Sequence, residues 1–219
     1  MASHDVPDKV KKFLEKRKEQ NIARFKNNSK VIKQSFLIIC EGENTEPDYF
    51  NEFKLGSARV EAVGKGMNTI SLVRQAVQLK KEYLKRDMKF DQYWVVFDKD
   101  DWTEVDFNNA IAIARASDFK VAYSNQAFEY WFMLHFNLHQ GKIDRNTYEA
   151  KLTDYLGFKY AKDSSVSSKI FNILLKRQET AISNARHAYN SFGGTHASPA
   201  TEESSTTVFL LVEELRKYL

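Results

Sequence analysis

The chain has 219 residues, 42% hydrophobic and 13% aromatic, enough to bury a core in one compact domain with an appendage. A formal charge of +4 is too small to identify a polyanion binder, so the placement of charge carries more than its sum. A single cysteine, Cys40, excludes an intramolecular disulfide and zinc-finger spacing; with no apolar run near the roughly 18 residues of a membrane span and no secretory apolar segment in residues 1–12, a cytoplasmic location is expected.

Residues 1–33 read as a basic N-terminal arm or helix. Positions 9–33 hold ten Lys or Arg against two Glu, with Phe13, Leu14, Ile22 and Phe25 at loosely helical spacing. Such a cluster is either a solvated helix face or a grip on a polyanion, since Lys and Arg displace counterions from phosphates. Lys11, Lys12 and Arg17 are its candidate nucleic-acid contacts.

Residues 34–140 alternate as a parallel α/β domain does. Ser35–Cys40 (SFLIIC) is a near-continuous apolar run, the pattern of a strand buried on both faces. Asn44 and Thr45 suit a helix N-terminus and Pro47 its first turn. A weaker strand follows at Arg59–Val63, then the turn Gly64-Lys65-Gly66 and a long helix over 68–86. Tyr93–Phe97 (YWVVF) is the second clear buried strand, followed by a helix at Glu104–Ala116 and a strand at Lys120–Tyr123. After Asn125, a plausible cap, the stretch FEYWFMLHF turns helical. Residues 141–219 read as a helical C-terminal part packing on this domain, with helices near 145–155, 166–175, 178–189 and 206–218 and a Gly, Ser, Thr and Pro-rich loop at 191–205. The fold class is therefore α/β, a small parallel sheet flanked by helices.

Two strands end in acid. The first runs into Glu41-Gly42, with Glu43 and Glu46 close behind; the second runs into Asp98-Lys99-Asp100-Asp101. In an open α/β sheet ligands gather at the carboxyl ends of the strands, so neighbouring strands would bring Glu41, Asp98 and Asp100 together. Clustered carboxylates repel unless a cation intervenes, and hard oxygen donors without His or Cys suit Mg²⁺ or Mn²⁺. Gly42 lets the backbone bend and approach a ligand. Acids after strands also serve as helix caps and solubilising loop residues; two such clusters, each behind a strongly apolar strand, favour the site. Glu129 is a lone acid on an otherwise apolar helical face, at the same carboxyl edge, and is a further metal-ligand candidate. His135 and His139 stand four apart, but His135 falls on the apolar face and reads as a core histidine. Lys65, Lys80 and Lys81 complete the candidate nucleic-acid contacts, from the Gly64–Gly66 turn and the long helix.

Glu41-Gly42 after one strand and Asp98-x-Asp100 after another resemble the Toprim signature of topoisomerases, primases and overcoming-lysogenization-defect nucleases. Four blocks, IICEGENTEPDYF, WVVFDKDD, SNQAFEYWFMLHF and STTVFLLVEEL, more closely resemble RloB-like proteins over roughly residues 35–215. The resemblance implies a Toprim fold, dependence on a divalent metal, nuclease activity on DNA or RNA, a role in prokaryotic defence against phage, and a partner ATPase encoded nearby. It implies Glu41 as a metal ligand or general acid/base and Asp98 and Asp100 as the metal pair. Glu46 stands roughly where such nucleases carry a second glutamate, with one residue added (EGENTE), and is a candidate to activate water.

Two other functions fit the same residues. An acidic Mg²⁺ site does not by itself choose a polymer, so a small-molecule phosphotransferase or phosphatase is one. A non-catalytic or ATPase-gated regulatory partner of a defence ATPase is the other, with Val208, Leu211, Val212 and Leu215 as an interface rather than core.

Overall fold

The two strongest apolar runs of the sequence become the two central strands of a parallel sheet. This arrangement is seen in a computed structural model that describes residues 34–62, 69–141, 143–194 and 196–219. The basic arm expected over 1–33 lies outside the described residues. The strands are β1 (Phe36–Cys40), β2 (Ala58–Ala62), β3 (Gln92–Asp98) and β4 (Lys120–Ser124), in the order β2-β1-β3-β4 and all parallel. Among the described residues eight α-helices flank them: α1 (Thr45–Asn51), α2 (Thr69–Lys85), α3 (Glu104–Ala116), α4 (Glu129–Met133), α5 (Tyr148–Leu156), α6 (Ser164–Leu175), α7 (Gln178–Asn190) and α8 (Val208–Arg216).

Side chains alternate across a strand, and the two faces of β1 and β3 bury against different helices. Leu37, Ile39, Val95 and Phe97 pack with Leu72, Val73, Phe107 and Ile111 of α2 and α3. Ile38, Cys40, Trp94 and Val96 pack with residues of α1 and of the C-terminal helices. All five residues of β1 are buried, which is why the run lacks polar alternation. The sheet is thus the middle of three layers, held by apolar burial on both sides at about 25 cal/mol per Å².

The C-terminal part is built into that core. Val208, Leu211, Val212 and Leu215 are fully buried, so the face required of a docking surface in the regulatory-partner alternative is interior. Ahead of α8, Thr206 and Thr207 seal the edge of β4. The Thr207 N–H donates to the Tyr123 carbonyl (2.8 Å), and the Tyr123 N–H donates to Thr207 Oγ1 (2.9 Å). Residues Gln34–Leu219 form one compact unit. No helix among the described residues is long and apolar enough to cross a membrane.

Three local expectations are corrected. Asn125 does not cap a helix: its Nδ2 donates to the carbonyls of Pro199 (2.8 Å) and Ala200 (3.0 Å), pinning the distant loop to the end of β4. The helix expected across FEYWFMLHF shortens to α4, because the His135 and Phe136 N–H groups bond three residues back, to Phe132 and Met133. Asn44 precedes α1 but makes no side-chain cap bond.

Candidate functional site

The order β2-β1-β3-β4 has its topological switch between β1 and β3. The chain leaves β1 on one side for β2, then crosses back over β1 to form β3. At such a point neighbouring connections diverge to opposite faces and leave a crevice at the carboxyl edge. Glu41 directly follows β1 and Asp98 ends β3, so the two acids face each other across that crevice. The Glu41 N–H donates to the Val96 carbonyl (3.0 Å), extending the ladder one step, and its Oε2 accepts the Asp98 N–H (3.2 Å).

Asp98 is half-buried, less enclosed as a whole residue than Glu46 and Glu129, but one of its oxygens is sealed in. Its Oδ2 accepts the Phe128 N–H (2.8 Å), while Oδ1 is buried with no hydrogen-bond partner. Beyond Asp98 the chain turns: Asp100 adopts φ 46°, a left-handed conformation that aspartate tolerates better than most residues, and its N–H donates to the Gln126 carbonyl (3.1 Å). Glu46 points back from the first turn of α1, and Gly42 is what admits it. A Cβ at Gly42 would collide with the Glu46 carboxyl group. Glu129, at the start of α4, is buried and meets two groups from the segment before α6. Tyr160 donates its hydroxyl to Oε1 (2.9 Å), and the Lys162 ammonium lies 2.9 Å from the same oxygen. Glu41, Glu46, Asp98, Asp100, Glu129 and Lys162 all line one cavity of about 410 Å³.

The electrostatics follow from this crowding. Burial, opposed by the Asp98 N–H and reinforced by Asp100 and Glu46, pushes Glu41 up to about 7. Burial also carries Glu46 to about 7; its own N–H and Lys162 oppose the shift, and Glu129 adds to it. Asp98 lies well above the ordinary aspartate range, first from burial and then from the charges of Glu46, Asp100, Glu129 and Glu41. Asp100 is raised by burial against the pull of Arg145 and Lys162. Burial alone would lower Lys162; Glu129, Asp98 and Glu46 outweigh it and leave the ammonium more basic than usual. Such mutual elevation marks a site short of positive charge.

Among the described residues no three His, Cys, Asp or Glu side chains already stand as a metal-holding group. The donor chemistry nonetheless fits a hard divalent cation: every acid offers oxygen, and the Asp98 Oδ1 left bare in the interior is the atom that a cation would satisfy. Mg²⁺ and Mn²⁺ keep part of their shell as water and substrate oxygen, so a few carboxylates are sufficient.

The basic candidates scatter. Lys11, Lys12, Arg17 and Lys65 lie outside the described residues. Lys80 is on the C-terminal half of α2, toward the opposite edge of the sheet. Its ammonium donates to the Ser117 carbonyl (3.0 Å) and lies 4.3 Å from the centre of the Tyr93 ring. Lys81 is exposed on the same half of α2; neither lysine lines the carboxylate cavity. His135 is a core histidine, as its apolar setting predicts. Nδ1 bonds the Trp131 carbonyl (2.9 Å), and burial pushes the ring down to about 3, leaving it neutral. A larger cavity, about 850 Å³, is elsewhere, lined by Trp94, Phe119 and Lys120 near the amino ends of β3 and β4. Tyr160, Lys162 and Arg145 are the site residues that sequence reasoning missed. Arg145 reaches Asp100 Oδ1 through Nη1 (2.6 Å) and Asp101 Oδ2 through Nη2 (2.5 Å). No local pattern singles them out, because each meets an acid distant in the chain.

These features define an α/β protein with an acidic cluster at the switch point of a parallel sheet. The family model described as RloB-like protein matches residues 36–215, and the chain belongs to that family. No curated protein and no solved structure matches it.

Proposed function

We propose that the protein is a divalent-metal-dependent nuclease that hydrolyses phosphodiester bonds in DNA or RNA. Its setting is cytoplasmic prokaryotic defence against phage, beside a partner ATPase, as the family resemblance implies. The observation that most supports the chemistry is the buried, partnerless Oδ1 of Asp98 amid five further carboxyl groups.

Glu41, Asp98 and Asp100 would hold Mg²⁺ or Mn²⁺, with Glu129 as a further ligand, and the bound ion would supply Lewis acidity to the phosphoryl group. Glu46, poised near neutrality with its carboxyl group in the cavity, is suited to take a proton from the attacking water. Lys162 is the cationic group of the same cavity; its ammonium offsets the charge that accumulates on the phosphoryl oxygens. Tyr160 fixes Glu129 through the hydroxyl bond.

The test is cleavage of plasmid, single-stranded DNA and total tRNA with Mg²⁺ or Mn²⁺, comparing the wild type with Asp98→Ala. Metal-dependent cleavage is expected, falling on the order of 10³-fold or more in the variant while its melting temperature stays near or above that of the wild type. Cleavage that survives Asp98→Ala at the wild-type rate overturns the assignment.

A further inference from the structure

Arg145 is the one residue of the C-terminal part, among those described, that forks onto two consecutive acids of the β3 turn. Nη1 takes Asp100 Oδ1 at 2.6 Å and Nη2 takes Asp101 Oδ2 at 2.5 Å. The two acids differ in position. Asp100 lines the carboxylate cavity, whereas Asp101 lines only an outer cavity of about 320 Å³ and is almost fully exposed. Arg145 itself lines that outer cavity and a second one of about 310 Å³, where Glu129 and Lys162 also appear. The guanidinium therefore stands where the acidic crevice opens to solvent.

The contact is built into the backbone. Gln126 sits at φ 91°, a region L side chains rarely adopt. From there its carbonyl accepts the Asp100 N–H (3.1 Å), and its side-chain Oε1 accepts the Arg145 N–H (3.0 Å). One strained residue thus holds both partners in register. Strain of this kind persists where the surroundings over-determine it, and it clusters at functional sites.

A guanidinium does not lose its proton in a protein. A divalent cation arriving at Asp100 therefore meets a fixed positive charge already seated on one of its two carboxylate oxygens. Arg145 cannot neutralise itself; it relieves the repulsion by turning away, pivoting on Asp101, towards another anion. Its planar fork matches phosphate oxygens two at a time.

We propose that Arg145 is a substrate-phosphate ligand held in reserve: it neutralises Asp100 until metal binds there, and is then released to grip a phosphate of the nucleic acid beside the reacting one. The inference rests on the metal-dependent nuclease reading above. Because the same side chain competes with the metal and assists the substrate, metal and nucleic acid reinforce each other's binding, reciprocally.

The experiment measures Mn²⁺ binding by titration calorimetry without substrate. Binding of 20-nucleotide DNA and RNA strands is then measured by fluorescence anisotropy, with and without Ca²⁺, for the full-length wild type, Arg145→Gln and Arg145→Lys. Arg145→Gln is expected to bind Mn²⁺ roughly 3- to 10-fold more tightly and to lose most of the gain in strand affinity that Ca²⁺ confers on the wild type. Arg145→Lys keeps the charge but not the fork, so Mn²⁺ affinity stays near wild type while the strand gain still falls. Equal or weaker Mn²⁺ binding by Arg145→Gln overturns the proposal and leaves Arg145 as a structural staple. A wild type that binds no Mn²⁺ overturns the nuclease reading itself, a distinct outcome. Should Arg145→Gln fail to fold, Asp101→Asn removes only the pivot. It is then expected to weaken the Ca²⁺-dependent strand gain while keeping Mn²⁺ affinity within about 2-fold, and an unchanged gain would overturn the proposal.

Discussion

Six carboxyl groups line one cavity, and burial makes a charge on the enclosed ones more expensive than it would be in water. Glu41 and Glu46 both rise to about 7, above the ordinary value they regain on unfolding. Protons thus bind more tightly to the folded protein. The stability they confer is complete below about pH 4.5 and is lost as pH rises through 7. The metal-free protein should therefore melt lower by roughly 5–10 °C at pH 8 than at pH 5, a loss on the order of 3 kcal/mol. Mn²⁺ bound as proposed would replace the missing protons, so its stabilisation should be larger at pH 8 than at pH 5. Scanning calorimetry in chelator and in Mn²⁺ checks both statements; coincident profiles would remove the acids from any metal role. At this scale the sequence was partly legible. Glu41, Asp98 and Asp100 stood out because acid directly after a fully apolar strand has few structural uses. Glu129 stood out because it interrupts an aromatic face. Lys162 and Tyr160 could not be found, since their partner lies about thirty residues back and only the fold brings them together.

Gly42 shows how one turn sets the composition of the site. It lies between β1 and α1, and its missing side chain leaves the space in which the Glu46 carboxyl group rests. Gly42→Ala puts a methyl into that space. The far end of Glu46 must swing out, which costs little because Glu46 is long and sits in the first turn of a short helix. The expected outcome is a protein within about 1–2 kcal/mol of wild-type stability whose cleavage falls on the order of 10²-fold, the typical loss when a positioned proton acceptor is withdrawn. Paired melting and single-turnover assays check this; undiminished cleavage would exclude Glu46 from the chemistry. The strands and long helices were readable because burial on both faces and a 3.6-residue period leave strong marks. The short α4 was not. Its aromatic run satisfies a helical period as well as a core, and tertiary packing decided between them. Asn125 likewise read as a cap because local chemistry allows it, yet its amide goes to a loop more than seventy residues away.

Across the whole molecule, the helical C-terminal part completes both core and site. The apolar cluster on one face of the sheet runs without a break from Phe36 and Ile38 of β1 to Leu215 of α8. The change of pattern near residue 140 therefore falls inside one compact unit, Gln34–Leu219. From the same part come Arg145, Tyr160 and Lys162, which meet the acids of the α/β part. Ending the chain at Thr207 would delete Val208, Leu211, Val212 and Leu215, all fully buried. At about 1.5–3 kcal/mol for each buried side chain, the loss approaches 6–12 kcal/mol, comparable with the 5–15 kcal/mol by which a typical domain is stable. The truncated chain should show no cooperative melting transition by circular dichroism, and a fragment of residues 34–140 should fail in the same way. Should the chain ending at Thr207 melt cooperatively and still cleave, α8 would be an accessory to a self-sufficient fold, and its buried face would again be open to a partner.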